Sequence, residues 1–212
     1  MSHENLSSII NDAKIDFSKL KPFQELEVID SSRKIVSKAF IDSAHSVVMS
    51  IESFGRLFAP IVKDMRGNVK RLEAKYETDK EKFHYLENLV LYDKEGNETS
   101  FDAVTEGLLW LKRALEMVEM FFRNMLNDDS CSENVKHHLK QAYDATLLPY
   151  HGFLAQKGFQ LLHHYVPTRT SLLGSQQENA LALEKFLVTF RATLNHLNKF
   201  YEDNNFNRTY KV

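Results

Sequence analysis

Three polar residues of different chemistry recur at helical spacing in one segment of the sequence. Asp64, Asn68 and Arg71 are spaced i, i+4 and i+7, which places their side chains along one side of an α-helix. A hydrogen-bond acceptor, an amide and a guanidinium therefore line up. The same spacing is typical of a solvated helix face that carries an acid–base pair, so the three residues alone leave both interpretations open.

Trp110 is the only tryptophan of the chain. At 100° per residue it lies well off the centre of the apolar stripe that the same helix is predicted to form. Its neighbours on that side are small: Ala103, Gly107 and Ala114. An indole face left accessible in this way stacks on the apolar side of a sugar ring or packs against another helix, and both interpretations remain open.

His151 is a further residue whose side chain could bind a ligand or take part in catalysis. A neutral histidine donates one hydrogen bond and accepts another, although a lone histidine is more often structural. Asp64 and His151 could form a catalytic dyad, but the sequence has no Gly-x-Ser-x-Gly elbow and no cysteine–histidine nucleophile pattern. We therefore predict that the protein is not an enzyme.

The remaining histidines give no metal-binding spacing. His137-His138 and His163-His164 are adjacent pairs, and adjacent residues on a helix point about 100° apart, unlike the i, i+4 pairs that bind zinc. We predict no metal and no cofactor.

The composition bounds the class of protein. The 212 residues are 43% hydrophobic and 26% charged, with a net charge of −2, which predicts one folded domain and disfavours nucleic-acid binding. Cys131 is the only cysteine, and Met1 to Phe17 contains acidic residues instead of an apolar signal core. We therefore predict a cytoplasmic protein. Because no stretch approaches about 18 to 20 apolar residues, membrane contact should be peripheral and transient.

The elements that must position these side chains are helices, so the predicted fold class is all-α. Residues 1–29 show no sustained period and are predicted to form a loosely organised N-terminal arm, while residues 30–212 form the folded domain. The segment from Asp93 to Ser100 is a predicted surface loop. The predicted helices span residues 34–54, 58–76, 79–91, 102–127, 134–148, 150–166 and 176–201.

Three motifs together resemble the glycolipid transfer protein family. They are FAPIVKDMRGNVKR from Phe58 to Arg71, EGLLWLKR from Glu106 to Arg113, and YHGF from Tyr150 to Phe153. The resemblance extends from about Ile51 to the final Tyr210-Lys211-Val212. It implies a two-layer helical sandwich that encloses a hydrophobic lipid pocket, with no enzyme activity, and a glycosphingolipid as the ligand.

The resemblance also implies a role for each matching residue. Asp64 would accept hydrogen bonds from the ceramide amide and a sugar hydroxyl, and Asn68 and Arg71 would bind further hydroxyls. Trp110 would stack on the first sugar, and His151 would donate to the ceramide carbonyl.

Further positions follow from the same resemblance. Tyr210 and Val212 match residues that close around the ligand. The apolar pocket would draw on Phe58, Leu108, Phe159 and Phe186, which helical spacing describes equally well as ordinary core residues.

The family has a second branch that carries ceramide phosphate, in which lysine and arginine replace the residues that match Asn68 and Trp110. This sequence carries the neutral pair, and we expect intermembrane transfer of glycosphingolipids. Two alternatives remain: ceramide-1-phosphate transfer that uses Arg71, Lys112 and Arg113, and a glycolipid sensor or adaptor. A weak homodimer is left open.

Two departures from the family pattern bear on the site. Arg71 stands where the animal proteins carry lysine, and Pro149 stands just before His151, where the resemblance implies helix. A proline kink there is expected to shift His151 relative to Asp64.

Overall fold

The computed structural model describes residues 14–96, 103–174 and 177–211 of the chain. These residues contain a short antiparallel hairpin, β1 (Glu27–Ile29) and β2 (Ser32–Lys34), and eight α-helices. The helices are α1 (Ser37–Glu52), α2 (Ala59–Thr78), α3 (Leu86–Gly96), α4 (Ala103–Leu126), α5 (Lys136–Thr146), α6 (Phe153–Leu162), α7 (Arg169–Leu173) and α8 (Gln177–Asp203).

The central helix is α4, and it forms because its apolar residues recur every three or four positions. The predicted stripe is buried throughout: Val104, Leu108, Leu111, Leu115, Val118, Phe122 and Met125. The helix packs against α2, α5 and α8, and α2 packs in turn against α1. The result is the two-layer helical sandwich that the family resemblance implied.

Helix α2 carries the polar motif. It follows a 3₁₀ turn at Arg56–Phe58, and Pro60 occupies its first turn, where a missing N–H costs nothing. Val62, Met65, Val69 and Leu72 are buried and repeat at helical spacing. They fix the rotation of the helix, and this rotation sets the direction in which Asp64, Asn68 and Arg71 point.

The helix predicted over residues 79–91 is shifted along the chain. The helix predicted from residue 79 begins at Leu86, because the N–H of Leu86 donates to the carbonyl of Ile35 and draws this segment alongside the start of α1. The surface loop predicted over Asp93 to Ser100 overlaps α3, because this helix continues to Gly96. The remaining residues of the predicted loop lie outside the described ranges.

The expectation of a kinked helix at Pro149 is wrong. Helix α5 ends at Thr146, a 3₁₀ turn spans Leu148–Tyr150, and α6 begins only at Phe153. Proline has no N–H to continue the α-helical ladder, so the chain breaks there. His151 consequently lies in an extended connection between two helices.

The predicted N-terminal arm is only partly described, from residue 14 onward. Ile15, Phe17 and Phe23 are buried in the core, and the N–H of Phe17 donates to the buried amide of Asn179 at 2.8 Å. The described part is therefore packed rather than loose. The division of the chain at residue 29 stays a prediction.

Among the described helices, none is long and apolar enough to cross a bilayer.

Candidate functional site

The three polar residues of α2 form a chain of hydrogen bonds. Arg71 Nη1 donates to Asn68 Oδ1 at 2.7 Å, and Asn68 Nδ2 donates to Asp64 Oδ2 at 3.3 Å. Asn68 is only 2% exposed, whereas Asp64 and Arg71 on either side of it are exposed, so only the middle of this face is withdrawn from solvent. With its amide bonded on both sides, Asn68 holds the carboxylate and the guanidinium in a fixed relative position.

Gly107 of α4 makes this arrangement possible, and the sequence motifs alone did not single it out for this role. A Cβ atom at this position would lie 3.4 Å from Arg71 Cδ and 3.5 Å from Asn68 Oδ1. Without a side chain, the backbone of α4 can approach the polar face of α2 closely. The sequence does give one sign of this role, because glycine in the interior of a strongly periodic helix implies a packing or functional reason.

The Asp64 carboxylate is partly open but lies in a poorly hydrated position. Burial by surrounding atoms raises its pKa above the usual 3.8, although the charges of Arg71 and His151 oppose the shift. A carboxylate that has lost some of its water gains more from a ligand N–H or O–H than a fully hydrated one.

His151 is held by two contacts. Its Nδ1 lies 3.1 Å from the Tyr143 hydroxyl, and its backbone carbonyl accepts a 2.8 Å hydrogen bond from Gln156 Nε2. Burial lowers the pKa of His151, against the opposing charge of Asp64, and burial raises the pKa of Tyr143 to about 12. At neutral pH the imidazole is therefore neutral, and the tyrosine keeps its proton.

Trp110 stands among polar and aromatic groups, not in the apolar stripe. Its ring lies 6.2 Å from the ring of His151 in a stacked orientation and 6.4 Å from Tyr210 in an edge-on one. The Tyr210 hydroxyl donates to Glu106. The structure thus brings together all six residues predicted to bind the headgroup and amide: Asp64, Asn68 and Arg71 on α2, Trp110 on α4, His151 after α5, and Tyr210 near the C-terminus.

A cavity of about 280 Å³ opens beside these groups. Asp64, Trp110 and His151 lie at its polar side, and the rest of its wall is mainly apolar: Pro60, Ile61, Met65, Ala114, Met117, Leu147, Ala155, Phe159 and Leu162, with Tyr143 and Gly158. A second, wholly apolar space of about 20 Å³ shares Ile61, Met117, Phe159 and Leu162 with it. The two spaces are therefore neighbours, separated by these shared side chains.

The predicted pocket residues divide into two groups. Phe159 lines both spaces, and Phe58 lines the inner one. Leu108 and Phe186 are buried but line neither space; Phe186 packs against Phe23 and Phe190 in another part of the core. Val212 lies outside the described residues. Helical spacing shows that a residue is buried but not whether it faces a cavity or a neighbouring side chain.

Two of the three cations considered for a phosphate ligand are buried, although the Arg113 guanidinium also lies 4.9 Å from the centre of the Trp110 ring. Lys112 is 4% exposed and donates to Asn198 Oδ1, and Arg113 is 3% exposed and donates to the carbonyl of Arg208. The Arg113 guanidinium also lies over the ring of Tyr150, 3.5 Å from its centre. Burial lowers the pKa values of both groups. Only Arg71 presents its charge beside Asp64 and Asn68.

One histidine pair behaves differently from expectation. The rings of His137 and His138 lie 3.7 Å apart, and together with Asp128 they place potential ligand atoms within 4.8 Å of one another. Spacing along the helix did not anticipate this cluster, because Asp128 comes from the connection after α4. His138 Nε2 lies 3.1 Å from Asp128 Oδ2, and an acid–histidine pair accounts for that contact. The absence of a metal stays a prediction.

Comparison with known proteins identifies what the chain resembles. The family described as "Glycolipid transfer protein (GLTP)" matches residues 35–178. A glycolipid transfer protein of Danio rerio is 27% identical, and the match covers 87% of this chain and 95% of that protein. The pleckstrin homology domain-containing family A member 8 of Homo sapiens is 32% identical over 69% of this chain, which spans only 28% of that protein.

The solved structures agree with the sequence matches. A structure of FAPP2, described as selecting simple glycosphingolipids with the GLTP fold, has a TM-score of 0.81 and 26% identity, and the match covers 92% of this chain and 99% of that one. Mouse ceramide-1-phosphate transfer protein has the same fold, with a TM-score of 0.75 and 19% identity over 92% of this chain and 96% of that one. The fold alone therefore does not select the headgroup.

Proposed function

The chain belongs to the glycolipid transfer protein family, and we propose that it binds glycosphingolipids and transfers them between membranes without altering them chemically. The observation that carries the proposal is the placement of Asp64, Trp110 and His151 at one side of a largely apolar cavity. Such a site offers hydrogen bonds and a flat aromatic ring to a sugar-bearing headgroup. Its apolar walls can contact the hydrocarbon chains of the same lipid.

The ceramide amide is the group that Asp64 and His151 recognise in this proposal. An amide has one N–H and one carbonyl, and both need partners when they leave water. Asp64 accepts from the N–H. In this proposal Tyr143 is the donor to His151 Nδ1, so the neutral imidazole carries its proton on Nε2 and donates to the carbonyl. An ester-linked diacylglycerol lacks the N–H and leaves the carboxylate unpaired, so it binds less well.

The sugar lies against Trp110 in the same proposal. The indole presents a broad apolar face to the C–H side of the first ring. Asp64, Asn68 and Arg71 supply acceptors and donors for its hydroxyls, and the hydrogen bonds among them orient these groups before the ligand arrives. Tyr210 closes the site from the C-terminal side.

The hydrocarbon chains require a carrier for an energetic reason. Each methylene exposed to water costs about 0.8 kcal/mol, so a long-chain lipid leaves a membrane slowly unless a protein covers it. The cavity and the inner apolar space behind Phe159 provide this cover. Transfer then needs no ATP and no covalent intermediate.

Helix α6 is the docking element in this mechanism. Phe153, Leu154 and Leu161 are 71%, 83% and 62% exposed, whereas Ala155, Gly158, Phe159 and Leu162 of the same helix line the cavity. One face can therefore enter the lipid headgroup layer while the other faces the hydrocarbon chains. Contact with the membrane is peripheral and transient, from the cytoplasmic side.

Ceramide-1-phosphate transfer is the alternative tested against this proposal. It would use Arg71, Lys112 and Arg113, but the last two are buried in contacts of their own. The neutral Asn68 and Trp110 beside the cavity instead favour an uncharged headgroup.

The test is transfer of fluorescent galactosylceramide, ceramide-1-phosphate and phosphatidylcholine between vesicles, with the wild type and Trp110→Ala compared in parallel. We expect selective transfer of galactosylceramide by the wild type and a large loss in Trp110→Ala. A preference for ceramide-1-phosphate would assign the chain to the other branch. Glycolipid binding without transfer would instead indicate a sensor or adaptor.

A further inference from the structure

A second concave surface lies on the other side of α2 from the lipid cavity. This basic groove has a volume of about 490 Å³ and runs between the end of α1 and the first three turns of α2. Its lining includes the charged residues Glu52, Arg56, Lys63, Arg66 and Lys70, together with Gly67.

The charges of the basic groove are poorly compensated. Arg66 pairs with Glu52 at 2.6 Å. Arg56, Lys63 and Lys70 form no ion pair or side-chain hydrogen bond with any residue that the structure describes. Four positive charges and one negative charge leave the groove at +3, on a chain whose net charge is −2. Like charges held around a concave surface focus a positive potential inside it.

The interior of the groove is open enough for a ligand. Gly67 faces it without a side chain, and a Cβ atom built there would have no neighbour within 4 Å. The volume falls in the range of small-molecule sites, about 300 to 1,000 Å³. Guanidinium and ammonium groups around an open space are the donors that bind phosphate oxygens, arginine in a bidentate manner and lysine as a point charge.

The position of the groove indicates where its ligand comes from. At about 100° per residue, Lys63, Arg66 and Lys70 lie about 100° to 160° around α2 from Asp64, and a helix is about 10 to 12 Å across. The two faces meet at the first turn of α2, where Ala59 lines the groove and Pro60 lines the cavity. A membrane placed against the mouth of the cavity therefore also meets the end of the groove.

We propose that the basic groove binds the phosphate-bearing headgroup of an anionic membrane lipid, at a site separate from the glycolipid cavity. This proposal rests on the proposed function insofar as that function brings the protein to a membrane. The lipid bound in the groove is not transferred: it holds α2 and the cavity mouth against bilayers that carry phosphate monoesters, and so selects the membranes on which the protein loads or unloads.

The test measures binding to vesicles that contain no glycolipid, made of phosphatidylcholine with or without phosphatidic acid. The wild type should bind the phosphatidic acid vesicles more tightly, and added salt should weaken this binding. The triple variant Arg56→Gln/Lys63→Gln/Lys70→Gln should lose it by about a hundredfold, since each basic residue near an anionic surface contributes about fivefold.

A matched control separates the groove from net charge. The triple variant Arg33→Gln/Lys34→Gln/Lys185→Gln removes three charges from other surfaces, so both variants change the net charge from −2 to −5. The control should bind like the wild type. Equal losses in both variants, or no loss in the groove variant, would overturn the proposal.

Two further measurements distinguish a membrane lipid from a soluble phosphate ester and the groove from the glycolipid site. The first adds soluble glycerol phosphate as a competitor for vesicle binding. If glycerol phosphate binds as strongly as the vesicles and displaces them, the groove is a site for free phosphate esters, and the membrane assignment is overturned. Weak displacement supports the membrane assignment. Galactosylceramide transfer between neutral vesicles should be unchanged in the groove variant. Failure of the wild type to transfer galactosylceramide would count against the proposed function. If the wild type transfers galactosylceramide but does not bind phosphatidic acid vesicles more tightly, only the groove proposal is contradicted.

Discussion

At the scale of single residues, Asp64 is placed where function and stability oppose each other. Burial raises its pKa above 3.8, so the folded protein binds this proton more tightly than the unfolded chain does. Its contribution to stability is therefore present below the unfolded-state pKa and is lost as the pH rises through the folded-state pKa. At neutral pH the ionised carboxylate destabilises the free protein, while in our proposal it binds the ceramide amide.

The substitution Asp64→Val should separate these two effects. It removes the acceptor, and a hydrogen bond to a charged group is worth about 1.5 to 3 kcal/mol, so galactosylceramide binding should weaken by about tenfold or more. The midpoint temperature of unfolding at neutral pH should be unchanged or higher. Asp64→Asn, which keeps one acceptor oxygen, should retain part of the binding. Transfer by Asp64→Val at the wild-type rate would contradict the assigned role.

The same pKa shift predicts a pH dependence. Ligand binding needs the Asp64 carboxylate ionised, so affinity for galactosylceramide should fall on acidification, with a midpoint above the usual aspartate value of 3.8. Titration calorimetry or intrinsic fluorescence across the pH range would measure it. In Asp64→Asn this acidic limb should disappear. A limb of the same midpoint in the variant would assign the effect to another group.

The orientation of His151 gives another residue-scale prediction. Tyr143→Phe removes the hydroxyl 3.1 Å from Nδ1 while keeping the ring that stacks on Phe159. Without this partner the imidazole can place its proton on either nitrogen, so galactosylceramide affinity should fall by severalfold, in line with about 1 kcal/mol for one neutral hydrogen bond. The measurement is equilibrium binding. An affinity equal to that of the wild type would show that the tyrosine does not set the tautomer.

At the scale of elements, the contact between α2 and α4 determines the geometry of the polar site. Asn68 on α2 is buried because Gly107 on α4 leaves room for it and for the Arg71 side chain. The two helices are adjacent in the sandwich, and the apolar faces on either side of the polar residues fix their rotation. The polar site is therefore a product of one helix pair rather than of a loop.

Substitutions at Gly107 should reveal how much room this contact has. In Gly107→Ala the new Cβ would lie 3.4 Å from Arg71 Cδ, an ordinary contact, and the better helix propensity offers up to about 1 kcal/mol. Its stability should equal or exceed that of the wild type. Gly107→Leu must displace Asn68 or Arg71, and overpacking costs about 1 to 3 kcal/mol, so both the midpoint temperature and glycolipid affinity should fall.

The control for this comparison is Gly67→Ala, on the open face of α2, where no atom lies within 4 Å of the new Cβ. It should show the gain in helix propensity without any effect on glycolipid affinity. If Gly107→Leu binds and unfolds like the wild type, the close approach of the two helices is not required.

At the scale of the whole molecule, the interior and α6 differ in how firmly they are held. Helix α4 is buried along most of its length, whereas α6 has no buried residue. The cavity of about 280 Å³ is slightly smaller than the usual range for ligand pockets, about 300 to 1,000 Å³. Two long hydrocarbon chains need more space, and we infer that α6 moves outward to provide it, because none of its residues is buried.

Hydrogen exchange tests this inference directly. In the free protein, the amides of Phe153–Leu162 should exchange much faster than those of Ala103–Leu126, and bound galactosylceramide should protect the former with little change in the latter. Mass spectrometry of the free and the bound protein would measure both helices at once. Equal protection of α6 with and without the ligand would indicate that the cavity opens elsewhere.

The sequence by itself determined the helical class and the polar site. The stripe from Val104 to Met125 fixed α4, because periodic apolar residues must face a core. Spacing placed Asp64, Asn68 and Arg71 on one helix face, because residues three and four apart share a face, but only the family resemblance assigned them to a binding site. Trp110 and His151 were predicted as site residues from sequence motifs, and a motif gives the identity of a residue but not its position in space.

Tertiary structure decided what depends on contacts between distant segments. The start of α3 at Leu86 and the Asp128–His138 contact each involve hydrogen bonds that local propensity does not encode. Leu108 and Phe186 were predicted to line the pocket; they are buried and line neither of the two described spaces, because burial and facing a cavity have the same periodicity. The basic groove likewise exists only where the end of α1 meets α2: side-chain periodicity is a property of one helix, whereas a concave surface is a property of at least two.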